Sequence, residues 1–285
     1  MLTFYEAAAS IGCVISNIRE DDKIHRCATV THPKKKNGAY RSDGQRGWIR
    51  NWESFELATW HSDREEHRPR AALNPLPDLA KRRREEAADA RFAAETARHM
   101  IESAKWETHP YLARKGFPKT IGLVLEEMLL VPGRIDGEIT TLQKIHEDGR
   151  KLSLTSGRMS GASFSIGNGP IEILCEGYAT GLSIKAAMTG ISVPARVTCC
   201  FAAANVAEVA SKRRRALIVA DNDKPMPQFG GLGTGEYFAR KAGLLWTMPP
   251  DAGTDANDLH LSAGLPALQG ILLDLLQRRL EARMR

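Results

Sequence analysis

Acidic side chains follow three predicted strands in the C-terminal half of the sequence, at the point where each strand ends. The apolar runs at 171–175, 216–220 and 244–248 are followed by Glu176, Asp221, Asp223, Asp255 and Asp258. Ligands of open α/β sheets bind beyond the carboxyl ends of the strands, so we expect these acids to converge. Carboxylates held that close repel each other, and a divalent cation removes the repulsion. Oxygen ligands of this kind suit Mg²⁺ or Mn²⁺, so the five acids are predicted metal ligands.

Each acid also has a purely structural explanation. Acids that follow strands often cap the next helix, and Asp221-Asn222-Asp223 is a good turn sequence. Three acidic sets after separate strands favour the metal site over this alternative.

The apolar rhythm predicts the elements that position these acids. Beyond Pro170, continuous apolar runs alternate with helical segments, which is typical of a parallel sheet covered by helices on both faces. The predicted strands are 171–175, 197–201, 216–220 and 244–248, and the predicted helices are 179–188, 206–212, 235–242 and 265–281. Residues 121–167 alternate short apolar runs with glycine and charge, which predicts a meander of strands.

The N-terminal part has a different character. Residues 1–74 are rich in polar and turn residues, and Asn37-Gly38 and Asp43-Gly44 predict hairpin turns in a small β-rich module. From Asp78 to Glu107 there is no glycine or proline, which predicts a long connecting helix. Its apolar face is expected to consist of Ala87, Ala90, Ala94, Ala97, Ile101 and Ala104.

Basic and aromatic residues interleave in the N-terminal module. They are Lys34, Lys35, Lys36, Tyr40, Arg41, Arg46, Trp48, Arg50 and Trp52. Cations for phosphates and rings for bases would hold single-stranded nucleic acid. The alternative is a basic surface hairpin whose tryptophans fill a small core. The later run "SKRRRA" (211–216) is interpreted as a solvated helix end.

A zinc site in this module would draw on Cys13, His25, Cys27 and His32. Structural zinc sites usually contain a tight pair such as Cys-x-x-Cys, and the closest pair here is His25-Arg26-Cys27. The spacing therefore favours a metal-free module.

Composition limits the class of protein. The 285 residues carry a net charge of +6, which suits a polyanionic partner. We see no run of about 18 apolar residues and no signal peptide, and the five cysteines fit a reducing compartment. The expectation is a cytoplasmic protein without a membrane segment.

The acid pattern resembles a Toprim domain, the catalytic fold of bacterial-type primases and of type IA and II topoisomerases. Its signature is Glu-Gly after one strand and Asp-x-Asp after a later one, here Glu176-Gly177 and Asp221-Asn222-Asp223. The stretches "HPYLARKGF", "ITTLQKIHEDGRKLSLTSGRMSGASFSIG", "EGYATGLSI" and "GTDANDLH" are similar to primases of conjugative plasmids, satellite phages and related mobile elements. "DKIHRCATVTHPKKKNGAYRSDGQRGWIRNW" resembles the N-terminal module of that group, so the resemblance covers roughly residues 20–260.

This resemblance implies a domain organisation. An N-terminal module (1–74) and a helical connector (75–120) would precede the strand-rich start of the catalytic region (121–169), the Toprim domain (170–263) and a C-terminal helix (264–285).

The resemblance also implies nucleotidyl transfer, in which a 3′ hydroxyl attacks the α-phosphate of a nucleoside triphosphate. Glu176 matches the general acid/base, Asp221 and Asp223 match metal ligands, and Asp255 and Asp258 match a later acidic cluster. Many primases carry a further acid four residues after the glutamate, where this chain has Thr180. With threonine at this position, the chain lacks one of the acids that the resemblance implies for a full second metal site.

Candidate contacts to triphosphate or template are Lys144, Lys151 and Arg158. "GGLGTGE" (230–236) lacks Gly-Lys-Ser/Thr and is interpreted as a turn that opens a helix. The sequence therefore predicts a stand-alone primase that uses single-stranded DNA and nucleoside triphosphates, with a separate helicase as a candidate partner. A Toprim nuclease with the same acids, or a non-catalytic single-strand-binding protein, remains an alternative.

Overall fold

The computed structural model describes residues 2–62 and 79–284. The chain divides into two compact units, with the boundary between Asn74 and Pro75. Each unit has its own core and is described separately.

The N-terminal unit is a five-stranded antiparallel sheet with strands in chain order, covered on one face by a short helix. The helix is α1 (Phe4–Ser10), and the strands are β1 (Cys13–Val14), β2 (His25–Thr29), β3 (Gly38–Ser42), β4 (Arg46–Asn51) and β5 (Leu57–His61). A capping box between Thr3 and Glu6 starts α1. Phe4 from this helix packs on Tyr40 and Ile49, which confirms the β-rich module and adds a helix that we did not predict.

One of the two predicted hairpin turns is confirmed. Asp43-Gly44 lies in the turn between β3 and β4, where Gly44 has φ +85°. Asn37-Gly38 is not a hairpin turn, because Gly38 is the first residue of β3. Only glycine fits there, since a Cβ would lie 2.6 Å from the sulfur of Cys27 and 2.9 Å from that of Cys13.

The C-terminal unit begins with a long helix that packs on an antiparallel sheet. The helix is α2 (Leu79–Ser103), and the sheet contains β6 (Lys105–Thr108), β7 (Ile121–Leu125), β8 (Met128–Ile135), β9 (Glu138–Ile145) and β10 (Lys151–Ser153). A short helix, α3 (Pro110–Arg114), joins β6 to β7. This sheet confirms most of the predicted meander.

The long helix is confirmed but ends earlier than predicted. Residues 105–108 leave the helix because they pair with β7 as an edge strand. The helix buries Ala93 and Ala97, whereas Ala87 at the start of the predicted apolar face is exposed.

The second half of this unit is a mixed five-stranded sheet in the order β11-β13-β12-β14-β15. Its strands are β11 (Phe164–Ile166), β12 (Ile171–Cys175), β13 (Ala195–Cys199), β14 (Leu217–Val219) and β15 (Trp246–Thr247). The last four are parallel, as predicted. The edge strand β11 pairs antiparallel with β13, although we predicted it as part of the meander. Phe164 of this strand packs edge-on against Tyr178, which lies just after β12.

Helices cover both faces of the parallel sheet, which confirms that prediction. They are α4 (Tyr178–Gly190), α5 (Ala203–Ala210), α6 (Thr234–Ala242) and α7 (Ala256–Met284). One face packs with α4 and α7 around Ile184, Met188 and Leu268. The other packs with α5 and α6 around Val206 and Ala239. The middle strand β12 is therefore buried on both faces, which explains its continuous apolar sequence.

Helix α7 starts before the predicted 265–281 helix and corrects the expectation of no long apolar segment. Residues Ala256–Ala282 are long and apolar enough to cross a membrane by length and composition, with a window of mean hydropathy 1.4. The helix is kinked at Gly264 (φ 82°), two residues before Pro266, and its buried Leu272 and Leu275 belong to the core under the sheet. Core helices of soluble proteins have the same property, so this is weak support for a membrane segment.

All five cysteines are buried free thiols. Cys175 and Cys199 lie opposite each other on β12 and β13, with sulfur atoms 3.8 Å apart. Together with Cys200, these two cysteines are fully buried in the core of the parallel sheet.

Candidate active site and nucleic-acid face

The structure brings Glu176, Asp221 and Asp223 together at the carboxyl edge of the parallel sheet. Glu176 follows β12 and Asp221 follows β14, and these two strands are direct neighbours. Burial, followed by the charges of Asp221 and Asp223, raises the pKa of Glu176 to about 9. Burial, followed by the charges of Asp255 and Asp223, raises the pKa of Asp221 to about 7. These three acids, which we call the acid centre, therefore share one electrostatic environment, which disfavours the ionised forms of Glu176 and Asp221.

Two carboxylate oxygens in this acid centre have no hydrogen-bond partner. Within the described part of the chain, Oε1 of Glu176 and Oδ1 of Asp221 are buried without one. Buried polar atoms are normally paired, so orphaned oxygens at a cluster of carboxylates fit a divalent cation that prefers oxygen ligands. Among residues 2–62 and 79–284 no group of three acids, histidines or cysteines is arranged to hold a metal ion by itself. The fit therefore rests on the orphaned oxygens and on the chemistry of the donors.

Backbone amides at the starts of two helices support the acids. The amide of Ala203, the first residue of α5, donates to the Glu176 carboxylate and lowers its pKa in opposition to burial. The amide of Gly235, in the first turn of α6, donates to Oδ2 of Asp223 at 2.9 Å. Amides at helix starts carry partial positive charge and stabilise carboxylates. They also fix where the oxygens point.

The "GGLGTGE" segment opens α6, as predicted, and it also shapes the acid centre. A Cβ at Gly233 would lie 2.3 Å from the Asp223 carbonyl oxygen, and a Cβ at Gly235 would lie 2.2 Å from that of Asp221. Glycine therefore lets α6 approach the Asp-x-Asp loop closely. The sequence signal was present in the repeated glycines, but their contact with the acids was not predictable from spacing.

Replacing Gly235 with alanine is expected to lower any activity of the acid centre about a hundredfold while the fold is retained. The added methyl group must displace the backbone of Asp221. This shift also moves the Asp221 side chain, whose Oδ1 is one of the two orphaned oxygens. Product formation and thermal unfolding would be measured together. Gly270→Ala in α7 is the matched control, because a Cβ there meets no atom within 4 Å. Equal activity of the two variants would contradict this role of Gly235.

Asn222, between the two aspartates, anchors their loop. Its side-chain amide donates to the carbonyl oxygens of Pro249 and Pro250 at 2.9 and 3.2 Å, and its backbone amide donates to Thr254. This anchoring fixes the loop to the segment after β15. The middle residue of the motif, which the sequence left without a role, is thus a positioning residue.

Asp255 and Asp258 have protein partners of their own. Oδ1 of Asp255 accepts from the amides of Asn257 and Asp258 at 2.7 and 2.9 Å, and Oδ2 accepts from the Thr180 hydroxyl at 3.1 Å. Oδ2 of Asp258 accepts from the Asp255 amide at 3.1 Å. Both acids therefore cap α7, which is the alternative considered for each acid from sequence. Thr180, in place of a further acid, supplies a neutral donor to Asp255.

The three predicted phosphate-contacting cations are placed differently. The Lys151 ammonium lies at the acid centre, 3.6 Å from where a Cβ on Gly177 would be, and it lowers the pKa values of Glu176 and Asp221. Lys144 pairs with Leu130 and Leu152, so strand alternation places it on the face of the sheet that α2 covers. Arg158 is exposed on a loop that Thr140 holds through two hydrogen bonds. Of the three, Lys151 joins the acids.

Two residues of the "HPYLARKGF" stretch also face the acids, and the sequence gave no separate signal for them. The Lys115 ammonium lies 3.9 Å from Oδ1 of Asp258. The Tyr111 hydroxyl is buried without a partner in the described chain. Burial, followed by the charge of Asp255, raises the pKa of Tyr111 to about 12, so this hydroxyl remains a donor.

In the N-terminal unit, strand alternation gathers basic and aromatic residues on the sheet face opposite α1. Register places Arg26, Arg41, Arg46, Trp48 and Arg50 on this face, which we call the basic face. The Arg50 guanidinium lies 4.3 Å from the centre of the Trp52 ring. Lys34, Lys35 and Lys36 are exposed in the loop before β3. Trp60, rather than Trp48 or Trp52, packs in the core.

Acidic residues already engage part of the basic face. Arg41 donates to both oxygens of Asp22 at 2.7 and 2.6 Å, and Arg46 donates to Asp43 at 3.2 Å. Trp48, and Arg50 with the neighbouring ring of Trp52, are the part of this region that we consider for stacking on bases.

The four residues considered for zinc do not converge. Cys13 and Cys27 face each other across Gly38. The imidazole of His25 lies 2.7 Å from Asp21, and that of His32 lies 2.7 Å from Glu53. Each imidazole is therefore paired with a carboxylate, whereas the two cysteine sulfurs lie beside each other.

Comparison with known proteins gives matches of two kinds. The Toprim domain family matches residues 172–265. The DNA primase TraC of Escherichia coli is 26% identical over 271 residues, which cover 84% of this chain and 25% of that protein. This chain thus corresponds to about a quarter of its curated relative.

Solved structures with a similar arrangement include two primases. The primase fragment of the bacteriophage T7 primase-helicase protein has a TM-score of 0.39 and 13% identity, over 59% of this chain and 73% of that one. The DnaG catalytic core has a TM-score of 0.39 and 12% identity, over 70% of this chain and 74% of that one. With the family match and the acids at the ends of β12 and β14, residues 172–265 are a Toprim domain, in a chain that resembles a DNA primase over most of its length.

Proposed function

We propose that this protein is a DNA primase of a mobile genetic element, which makes short primers on single-stranded DNA by metal-dependent nucleotidyl transfer. The observation that carries the proposal is the acid centre, where Glu176 and Asp221 are buried side by side with orphaned oxygens. The similarity to a DNA primase supports the reaction class. The site of action is the cytoplasm of the bacterial host, with a separate helicase as partner.

The roles of the residues follow from their surroundings. Glu176, Asp221 and Asp223 would hold Mg²⁺ or Mn²⁺, which would supply positive charge to neutralise and orient the phosphates of the nucleoside triphosphate. Lys151, beside Glu176 and Asp221, binds triphosphate oxygens. Glu176 accepts the proton of the attacking 3′ hydroxyl, in the general acid/base role that the Toprim resemblance implies. The hydroxyl oxygen bonds to the α-phosphorus, and pyrophosphate leaves.

Asp255 and Asp258 complete the negative field of the centre. Asp255 is the largest charged contributor to the raised pKa of Asp221. Their hydrogen bonds to the start of α7 and to Thr180 keep them at the edge of the site. We assign them to cation binding through this field.

The basic face of the N-terminal unit holds the template. Trp48→Ala/Trp52→Ala is expected to weaken binding of single-stranded DNA about 10- to 100-fold, because base stacking on an aromatic ring contributes about 1–3 kcal/mol per base. Fluorescence anisotropy with a labelled oligothymidine would measure the effect. Tyr5→Ala is the matched control, since Tyr5 is an exposed ring on α1, which covers the opposite face. Unchanged affinity in the double variant would rule out this face as the template site.

A primer-synthesis assay tests the proposal as a whole. The purified protein is incubated with circular single-stranded DNA, labelled nucleoside triphosphates and Mg²⁺ or Mn²⁺, and the products are separated on a denaturing gel. Short labelled products that depend on template and metal are expected. Degraded template without nucleotide incorporation would identify a nuclease, and tight DNA binding without either activity would identify a binding protein.

A further inference from the structure

A cationic cleft in the C-terminal unit lies outside the acid centre. It has a volume of about 290 Å³ and lies between the β8–β9 turn, strand β11 and the end of α5. Arg134, Lys212 and Arg213 supply positive charge at its rim, and Ile135, Phe164 and Val209 supply apolar surface. Neither the three acids of the acid centre nor Asp255 or Asp258 lines it. We call it the rim cleft.

Hydrogen bonds fix the walls of the rim cleft. The buried side chain of Asn205 accepts from the Gly161 amide at 2.7 Å and donates to the carbonyl oxygens of Ala162 and Cys200 at 2.8 and 2.7 Å. Arg134 and Ser163 exchange backbone hydrogen bonds of 2.9 and 3.0 Å. The loop, the helix and the hairpin are thus tied together, so the cleft is formed before any ligand arrives.

The charge of the rim cleft favours an anion. Glu172 is shared by Arg213 at 3.4 Å and Arg196 at 3.3 Å, so one carboxylate serves two guanidinium groups. Lys212 has a carboxylate of Glu208 only at 4.0 Å, with both side chains about half exposed. Asp136 is the acid that lines the cleft among the described residues. The rim therefore keeps a positive charge that the surrounding acids do not neutralise.

Size and chemistry together select the ligand. Ligand pockets usually measure about 300–1,000 Å³, so the rim cleft is at the small end and takes one nucleotide-sized group. The arginine and lysine side chains that line the cleft suit phosphate oxygens, whereas its apolar residues suit a sugar or base. Phe164, which lines the cleft, packs edge-on against Tyr178 with ring centres 5.5 Å apart, and Tyr178 is two residues from Glu176. The cleft thus adjoins the helix that follows Glu176.

We propose that the rim cleft binds one nucleotide unit, with its phosphate on Arg134, Lys212 and Arg213. The unit comes either from a DNA strand that passes the acid centre or from a free nucleotide. The nucleotide as ligand rests on the proposed function, whereas the cationic cleft itself does not. Lys212 and Arg213, the first two cations of the "SKRRRA" run, are then ligand-binding residues. The sequence pattern alone was interpreted as a solvated helix end.

Binding measurements on an inactive protein test this proposal. In the Asp221→Asn/Asp223→Asn background, Arg134→Ala/Lys212→Ala is compared with Arg214→Ala/Arg215→Ala, which removes the same charge from exposed residues that do not line the cleft. The probes are a fluorescein-labelled oligothymidine, followed by anisotropy across a salt series, and thymidine monophosphate, followed by calorimetry. Lys212→Glu serves as a second variant that reverses the charge without removing the side chain.

We expect the cleft variant to weaken binding of the responsive probe about tenfold, while the control variant binds as the parent does. If the strand is the source, the oligothymidine responds and the slope of log K against log salt falls in magnitude by about 0.7, because one phosphate contact is lost. If a free nucleotide is the source, thymidine monophosphate binding is lost and the oligothymidine is unaffected. Equal behaviour of cleft and control variants with both probes would overturn the proposal.

The two proposals fail separately. Primer synthesis by the unmodified protein, together with unchanged binding in the cleft variants, would overturn the rim cleft and leave the proposed function intact. If the unmodified protein makes no primers but the cleft variants lose binding, the proposed function is overturned and the rim cleft stands as a binding site.

Discussion

Replacing both Asp221 and Asp223 with asparagine is expected to lower primer synthesis at least about a thousandfold, because metal and charge stabilisation supply most of the catalysis in phosphoryl transfer. Asparagine keeps the size of each side chain, and the Gly235 amide can still donate to a side-chain oxygen at residue 223. The fold and the basic face of the N-terminal unit should therefore be unchanged. Product yield per template would be followed on a denaturing gel, beside oligonucleotide binding by anisotropy.

The matched control is Asp251→Asn. Asp251 is exposed in the loop after β15, and its backbone carbonyl accepts a hydrogen bond from the Thr254 hydroxyl. This variant should synthesise primers as the unmodified protein does. Substantial synthesis by the Asp221→Asn/Asp223→Asn variant would remove these acids from the mechanism.

The second large effect concerns pH. Without metal, the folded protein is expected to lose stability as the pH rises, because burial and neighbouring acids raise the pKa of Glu176 from 4.5 to about 9. A group with a raised pKa stabilises the fold fully below its unfolded pKa, and this contribution is lost as the pH rises through the folded pKa. Between about pH 6 and pH 8, this one carboxyl should reduce the free energy of unfolding by about 2–3 kcal/mol. Asp221, with a pKa raised to about 7, adds to the same trend.

Urea unfolding in the presence of a chelator, at several pH values, would measure this slope. Glu176→Gln should reduce it and make the metal-free protein more stable at alkaline pH, because a neutral amide replaces the buried charge. Glu147→Gln, at an exposed position, should leave the slope as it is. Saturating Mg²⁺ should flatten the slope of the unmodified protein, since the cation favours the ionised acids. A slope that is the same in Glu176→Gln and in the unmodified protein would show that Glu176 ionises freely.

Much of the C-terminal unit was predictable because its signals are local. The run 171–175 is apolar without interruption, and the structure buries β12 on both faces. Parallel strands end at one edge, so the meeting of Glu176 and Asp221 followed from the order of strands and helices alone. The long alanine-rich helix was also clear from its period, although its end was not, because pairing of 105–108 with β7 is a tertiary effect.

Other features depended on contacts between distant residues. Gly38 looks like a turn glycine, but it lies in a strand, at a position where two cysteine sulfurs leave no room for a side chain. Lys144 and Lys151 look equivalent in sequence, yet strand register puts them on opposite faces of the sheet. Asp255 looks like a metal ligand, and the structure shows that Thr180 and the start of α7 occupy its oxygens. The rim cleft joins residues from three separate segments, and no pattern within one segment indicates it.

The most direct test of nucleotidyl transfer at the acid centre is to measure pyrophosphate release and nucleotide incorporation in the same reaction. The unmodified protein, supplied with circular single-stranded DNA, nucleoside triphosphates and Mg²⁺, should release pyrophosphate in an amount equal to the nucleotides incorporated. The Asp221→Asn/Asp223→Asn variant should do neither. Nucleoside monophosphates released from the template without any pyrophosphate would contradict the account and show that the same acids hydrolyse DNA.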